Sequence, residues 1–212
     1  MNGPHQGQQL VAAGTPLEAA DAAMVLVHGR GATARSIVQM GQEVHRDGLA
    51  LLAPQAAGNT WYPNSFLAPV EDNEPGRSSG LQAVGDAVET ATEGDVPREK
   101  VVLLGFSQGA CLASEFVARN PRRYGGLAAL SGGLIGESVD PTEYEGDIER
   151  TPVLVGCSDV DPHIPLERVH ETTEAFERLN GDVDERIYEG MGHGVNEDEL
   201  DAVSELVADV LG

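Results

Sequence analysis

Apolar residues recur along this chain in two alternating patterns. Short continuous aliphatic runs occupy residues 22–28 (AAMVLVH), 49–53, 100–105 (KVVLLG), 126–131 and 151–156. Runs of this kind, closed by glycine or proline, are the mark of strands covered on both faces. Between them lie longer stretches with one apolar face. Thr33 is placed to cap a helix presenting Ile37, Met40 and Val44. Ser79 with Gln82 has the form of a capping box ahead of the stripe Leu81, Val84 and Val88. Helices are predicted over 108–119, stopped before Pro121, and over 166–179, ended by Asn180-Gly181. Residues 183–188 alternate like an edge strand. Asn196 with Glu199 opens a last helix that turns Leu200, Val203, Val207 and Val210 inward. Strand and helix alternate throughout, which predicts an α/β fold: a mostly parallel sheet with helices on both faces. Nothing divides the 212 residues, so one domain over 1–212 is expected.

Two connections are longer than turns require. Residues 55–77 are rich in Pro, Gly and Asn and hold the only tryptophan, Trp61, together with Tyr62 and Phe66. Residues 132–150 form the second. Loops of this length in a compact domain tend to carry function. The three clustered aromatics suit an apolar wall for part of a substrate; the alternative is that Trp61 seals the loop onto the core.

Charge narrows the range of partners. The chain carries 35 Asp and Glu against 13 Lys and Arg, a formal net charge of −22, with Lys100 its single lysine. Such a surface repels nucleic acid and anionic membranes. With 41% hydrophobic residues in periodic runs, the acidity belongs to the shell of a folded domain rather than to a disordered chain. It fits a cytoplasmic protein working in molar salt, where screening removes the self-repulsion. No apolar run reaches the about 18 residues a membrane span needs. Residues 1–9 are polar, without a basic or apolar run, so a signal peptide is not expected. Cys111 and Cys157 form no disulfide framework and read as buried thiols. No metal-ligand spacing occurs, and no cofactor is expected.

The sharpest chemical signal is Gly105-Phe106-Ser107-Gln108-Gly109, a G-x-S-x-G turn between the most strand-like run and a helix. Such a turn exposes a serine Oγ and aims a helix N-terminus at developing negative charge. A serine nucleophile needs a base, and the base an orienting carboxylate, in the chain order Ser, Asp or Glu, His. His193, in Gly190-Met191-Gly192-His193-Gly194, is the only histidine beyond residue 170 and follows the last strand. Asp159 and Asp161 both follow the preceding strand, and spacing alone does not separate them. Backbone N–H donors for an oxyanion are expected from Gln108, after the nucleophile, and from Arg30, in the Gly-rich turn His28-Gly29-Arg30-Gly31. That turn lacks the spacing and the lysine of a nucleotide site.

With these segments in place the chain resembles the α/β-hydrolase superfamily and, within it, the phospholipase/carboxylesterase family that includes the acyl-protein thioesterases. The resemblance runs through His28-Gly29-Arg30-Gly31, Ala53-Pro54-Gln55, Gly105-Phe106-Ser107-Gln108-Gly109, Asp161-Pro162-His163-Ile164-Pro165 and Gly192-His193. It implies Ser107 as nucleophile, His193 as base, Asp161 rather than Asp159 as the acid, and the N–H groups of Arg30 and Gln108 as oxyanion donors. The loop after Pro54 departs from that of the eukaryotic thioesterases and looks more like that of small prokaryotic esterases. The expected activity is cleavage of small-molecule esters or thioesters with small to medium acyl groups. No large lid insertion is present, and a homodimer is compatible with this fold. The rival readings are a ligand-binding protein on a hydrolase scaffold and a lysophospholipase or peptidase variant. Arg30 is expected to pair with a surface carboxylate, His28 to make a structural hydrogen bond, His163 to stand outside the chemistry, and His5, His45 and His170 to be solvated.

Overall fold

A computed structural model describes residues 3–212. Seven strands form one sheet: β1 (Leu10–Gly14), β2 (Ala22–Val27), β3 (Leu49–Pro54), β4 (Val101–Phe106), β5 (Gly126–Leu130), β6 (Pro152–Ser158) and β7 (Asp182–Tyr188). Their spatial order is β1-β3-β2-β4-β5-β6-β7. Only β1 runs antiparallel, against β3. The helices are α1 (Ala34–Glu43), α2 (Gly76–Glu93), α3 (Gln108–Arg119), α4 (Leu166–Arg178) and α5 (Glu197–Leu211). This is an α/β architecture, a mostly parallel sheet with helices on both faces.

The side-chain period of two along each strand feeds two cores. Ala23, Val25 and Val27 of β2 belong to a core that also holds Val84 of α2, Leu112 of α3 and Phe176 of α4. Ala22, Met24 and Leu26 belong to the other, with Ile37 of α1 and Val203 and Val207 of α5. Burial on both faces explains why these strands are continuous aliphatic runs. At the edge, β7 is half exposed and its Asp182, Asp184 and Glu185 discourage further pairing.

The sequence does not announce β1, because Leu-Val-Ala-Ala-Gly is short, lacks clear alternation and pairs through a long-range register with β3. The Ser79 cap and the solvated His5 and His45 need correction. Helix α2 begins at Gly76, so Ser79 lies inside its first turn. Its hydroxyl is occupied elsewhere, accepting from the His5 N–H (2.9 Å) and donating to Gln6 Oε1 (2.7 Å). The exposed donor at the helix start is met by Glu74 Oε2, which accepts from Ser78 N (3.0 Å). His5 is buried, not solvated, and half-buried His45 bonds the Leu49 carbonyl. His170 is exposed and pairs with Glu185. The Asn196/Glu199 and Thr33 caps form as expected; Thr33 completes its box with Ser36.

Among the described residues no helix is long and apolar enough to cross a membrane. Nor, among them, is any group of His, Cys, Asp or Glu placed to hold a metal ion.

Candidate active site

Successive connections leave the sheet in opposite directions on either side of β2 and β4. The crevice beyond their C-terminal ends is therefore open, and ligands bind at such a switch point. The loops after β2, β3, β4, β6 and β7 converge there.

Ser107 stands between β4 and α3 with φ 56° and ψ −121°, a strained conformation for a residue with a side chain. The strain is fixed by close packing on both sides. A Cβ at Gly105 would run into the Gly109 carbonyl, and one at Gly109 into the Val27 carbonyl of the neighbouring strand. The turn is anchored by Ser107 N donating to Leu130 O (3.0 Å) and Cys111 N donating to Ser107 O (3.1 Å). Behind it α3 is buried along nearly its whole length. Its buried Glu115 accepts from Arg77 Nη2 (2.6 Å), Arg119 Nε, the Ile135 N–H (3.2 Å) and Tyr144 Oη (3.2 Å). That carboxylate ties α2, α3 and the 132–150 segment into one unit.

Ser107, His193 and Asp161 form one hydrogen-bonded chain. Ser107 Oγ lies 3.0 Å from His193 Nε2, and His193 Nδ1 lies 2.7 Å from Asp161 Oδ2. The Asp161 side chain is fully buried and the His193 ring only one-fifth exposed. Asp161 Oδ1 also accepts from the N–H groups of His163 (2.8 Å) and Ile164 (3.2 Å). The Cys157 thiol sits 3.9 Å from Oδ2; burial, reinforced by Asp161, pushes it up to about 12. The ring of Phe106 supports one side of His193 at 5.2 Å, and His163 stands edge-on at 4.9 Å.

Asp159 has a different job from Asp161. Its Oδ1 accepts from the Gly190 N–H (2.8 Å) and its own N–H donates to Tyr188 O (3.2 Å). Ser158 Oγ accepts from Gly192 N (2.9 Å), and Ser131 Oγ donates to Gly194 O (3.0 Å). The loop carrying His193 is thus suspended from three side chains on the ends of β5 and β6. Sequence reasoning missed Ser131 and Ser158. Positive φ at Ser131 marks its turn, but no local pattern announces a partner so far along the chain.

The aromatic loop divides its labour. Trp61 is fully buried and does not reach the cavity. Its Nε1–H donates to His28 O (2.8 Å), its carbonyl accepts from His5 Nε2 (2.8 Å) and its N–H donates to Gln108 Oε1 (2.9 Å). The Gln108 amide in turn donates to Tyr62 O (2.9 Å). His28 does make a structural bond. Its Nε2 accepts from Ala56 N (3.1 Å), so the ring proton sits on Nδ1, which donates to Gly29 O (2.8 Å). Burial holds its pKa below the ordinary histidine value. Tyr62 and Phe66 face a cavity of about 550 Å³ that also borders Ser107, Gln108, His193 and Cys111. Burial pushes the Cys111 thiol up to about 11, which keeps it protonated and unreactive at neutral pH. Among the described residues neither the Arg30 nor the Gln108 N–H has a protein acceptor, and both residues line the cavity. Among the described residues the Arg30 guanidinium pairs with no carboxylate, against expectation. It donates from Nη1 to Pro63 O (2.9 Å) and from Nη2 to Asn64 O (2.5 Å), because the loop folds back across it.

The strand order, the sharp turn at Ser107 and the crevice beyond β2 and β4 place the protein among the α/β hydrolases. The profile of the phospholipase/carboxylesterase family matches residues 10–211, and the chain belongs to that family. A crystal structure of a phospholipase/carboxylesterase from Dyadobacter fermentans superposes with a TM-score of 0.91 at 40% identity, covering 95% of this chain and 97% of that one. Among curated proteins, acyl-protein thioesterase 1 of Debaryomyces hansenii is 33% identical over 119 residues, 55% of this chain and 51% of that protein. Acyl-protein thioesterase 1 of Kluyveromyces lactis is 30% identical over 140 residues, 64% of this chain and 61% of its own length. The matched segments thus span half to six-tenths of those relatives.

Proposed function

We propose that this protein is a serine hydrolase cleaving carboxylic esters or thioesters of small to medium acyl groups. The observation that carries the reading is the unbroken chain Ser107–His193–Asp161 at the edge of a cavity. In this reading Ser107 Oγ attacks the acyl carbon while His193 Nε2 takes its proton. Asp161 holds the Nδ1–H tautomer and stabilises the imidazolium. The oxyanion is received by the N–H groups of Arg30 and Gln108, with the N-terminus of α3 behind it. His193 then returns the proton to the departing alcohol or thiol. Water, activated by the same ring, releases the acid from the acyl-enzyme. Tyr62 and Phe66 supply the apolar wall, and the Gln108 side chain holds the backbone of Trp61 and Tyr62 behind it. No cofactor enters the scheme. The substrate is a small molecule and neither nucleic acid nor membrane lipid in place. The acidic surface suits a halophilic cytoplasm.

Replacing Ser107 by Ala tests this. The variant is expected to fold as the parent, to lose p-nitrophenyl ester hydrolysis by about 10⁴-fold or more, and to escape labelling by a fluorophosphonate. Retained activity or retained labelling would refute the assignment.

A further inference from the structure

The lining of the cavity differs in charge from the surface around it. In a chain with 35 acidic residues, no Asp or Glu lines this cavity among the described residues. Its inner walls are apolar, from Phe66, Phe106 and Ile164, while its exposed rim carries Arg30 and His163. Arg30 is also immobilised. Two of its five N–H donors are tied to the carbonyls of Pro63 and Asn64, and its Cζ lies 6.0 Å from the Tyr62 ring centre. Carbonyl anchors fix a guanidinium without neutralising it, so its charge and its remaining donors stay available. The ordering entropy of a long side chain is spent before any ligand arrives. A mere strut between loops would not need a cation, and a negatively charged surface offers many carboxylates that could have paired with it.

We propose that Arg30 recognises a carboxylate on the substrate, so that the preferred esters carry an anionic group a few bonds from the reacting carbonyl. Half-esters of dicarboxylic acids are of this kind. The inference rests on the hydrolase reading and names its substrate class. The bond chemistry is unchanged: water adds across the acyl–oxygen bond, giving a carboxylic acid and an alcohol. The recognised carboxylate takes no part in the exchange. Arg30 and Ser107 line the same cavity of about 550 Å³, which limits the reach to short spacers.

The experiment compares matched pairs at constant ionic strength: p-nitrophenyl hemiadipate against p-nitrophenyl hexanoate, and 4-carboxyphenyl hexanoate against phenyl hexanoate. The first pair places the carboxylate on the acyl side, the second on the leaving group. In the parent, kcat/KM should favour the anionic member of one pair. Arg30→Gln should lower that anionic-to-neutral ratio about tenfold, the size of one charge-assisted hydrogen bond, with the change mainly in KM. Arg30→Lys, which keeps the charge, should retain most of the ratio. The ratio is read whatever happens to the absolute rates. Ratios unchanged by Arg30→Gln in both pairs, or a loss shared equally by neutral and anionic esters, would overturn the proposal and leave Arg30 as a strut. If no ester is turned over and Ser107 takes up no fluorophosphonate, the hydrolase reading is what has failed.

Discussion

Glu199→Gln isolates a single buried acid and converts it into a measurable pH dependence. Glu199 is fully buried in the first turn of α5, where Oε2 accepts from Asn196 N (2.9 Å) and Oε1 has no partner among the described residues. Burial raises its pKa from 4.5 to about 7; nearby Asp198 adds to the rise, while the Asn196 N–H and Arg186 oppose it. The folded state therefore binds a proton that the unfolded chain has already released between pH 4.5 and about 7. Stability conferred by the neutral form is complete below pH 4.5 and is lost as pH rises to about 7. A shift of this size is worth at most about 3 kcal/mol. Glutamine mimics the neutral acid, since its carbonyl can still accept from Asn196 N, and it cannot ionise. The variant should match the parent near pH 5 and exceed it by about 2–3 kcal/mol at pH 8. For a domain of this size that corresponds to a melting temperature higher by about 5–10 °C. Urea or thermal unfolding of both proteins across pH 5–9 at fixed salt provides the readout, and the effects of the other carboxylates cancel in the difference. A difference that does not vary with pH, or a variant weaker at pH 8, would refute the reasoning.

Three more outcomes follow from the site and surface. Asp161→Asn should keep the fold and lower kcat by about 10⁴-fold, because the amide no longer fixes the His193 tautomer; steady-state kinetics with a p-nitrophenyl ester reads this. Gln108→Ala strands the buried Trp61 N–H and Tyr62 carbonyl, so it should cost about 2–4 kcal/mol in denaturant titration and reduce kcat more than the Arg30→Gln exchange does. Lowering salt from molar KCl to about 0.1 M lengthens the Debye screening length to about 10 Å. With a net charge of −22 the melting temperature should fall steadily as salt is removed. A melting temperature independent of salt would remove the halophilic reading and leave the hydrolase reading intact.

What could be read from the sequence was whatever is local. The turn at Ser107 is written in five consecutive residues, and α3 spans the predicted 108–119 without adjustment. Asn196 and Glu199 announce α5 because a cap and its box partner are three residues apart. The two inward faces of β2 and β4 follow from their continuous aliphatic runs. The remainder depends on partners distant in the chain. His5 reaches Trp61 across 56 positions, and Ser131 reaches Gly194 across 63. Ser79 looked like a cap until the N-terminal segment claimed its hydroxyl. Arg30 finding carbonyls rather than a carboxylate depends on how residues 63–64 fold back, which no spacing encodes.

The side-chain amide of Gln108 has a consequence for how this scaffold can change. It fastens Trp61 and Tyr62 to the same helix start that carries Ser107, so the stem of the aromatic loop is part of the frame. The tip beyond it closes on itself: Asn64 N and Ser65 O both bond the Asn73 side chain, and Asn64 Nδ2 bonds Asp72 O. The loop is thus built as a fixed stem with a cassette whose outside ties are few, Arg30 to the Pro63 and Asn64 carbonyls and Gly136 N to Phe66 O among them, all of which a graft has to keep. Grafting residues 63–73 from another family member could re-shape one wall of the cavity while the reacting groups keep their places. A graft cut upstream of Trp61 would disturb both at once.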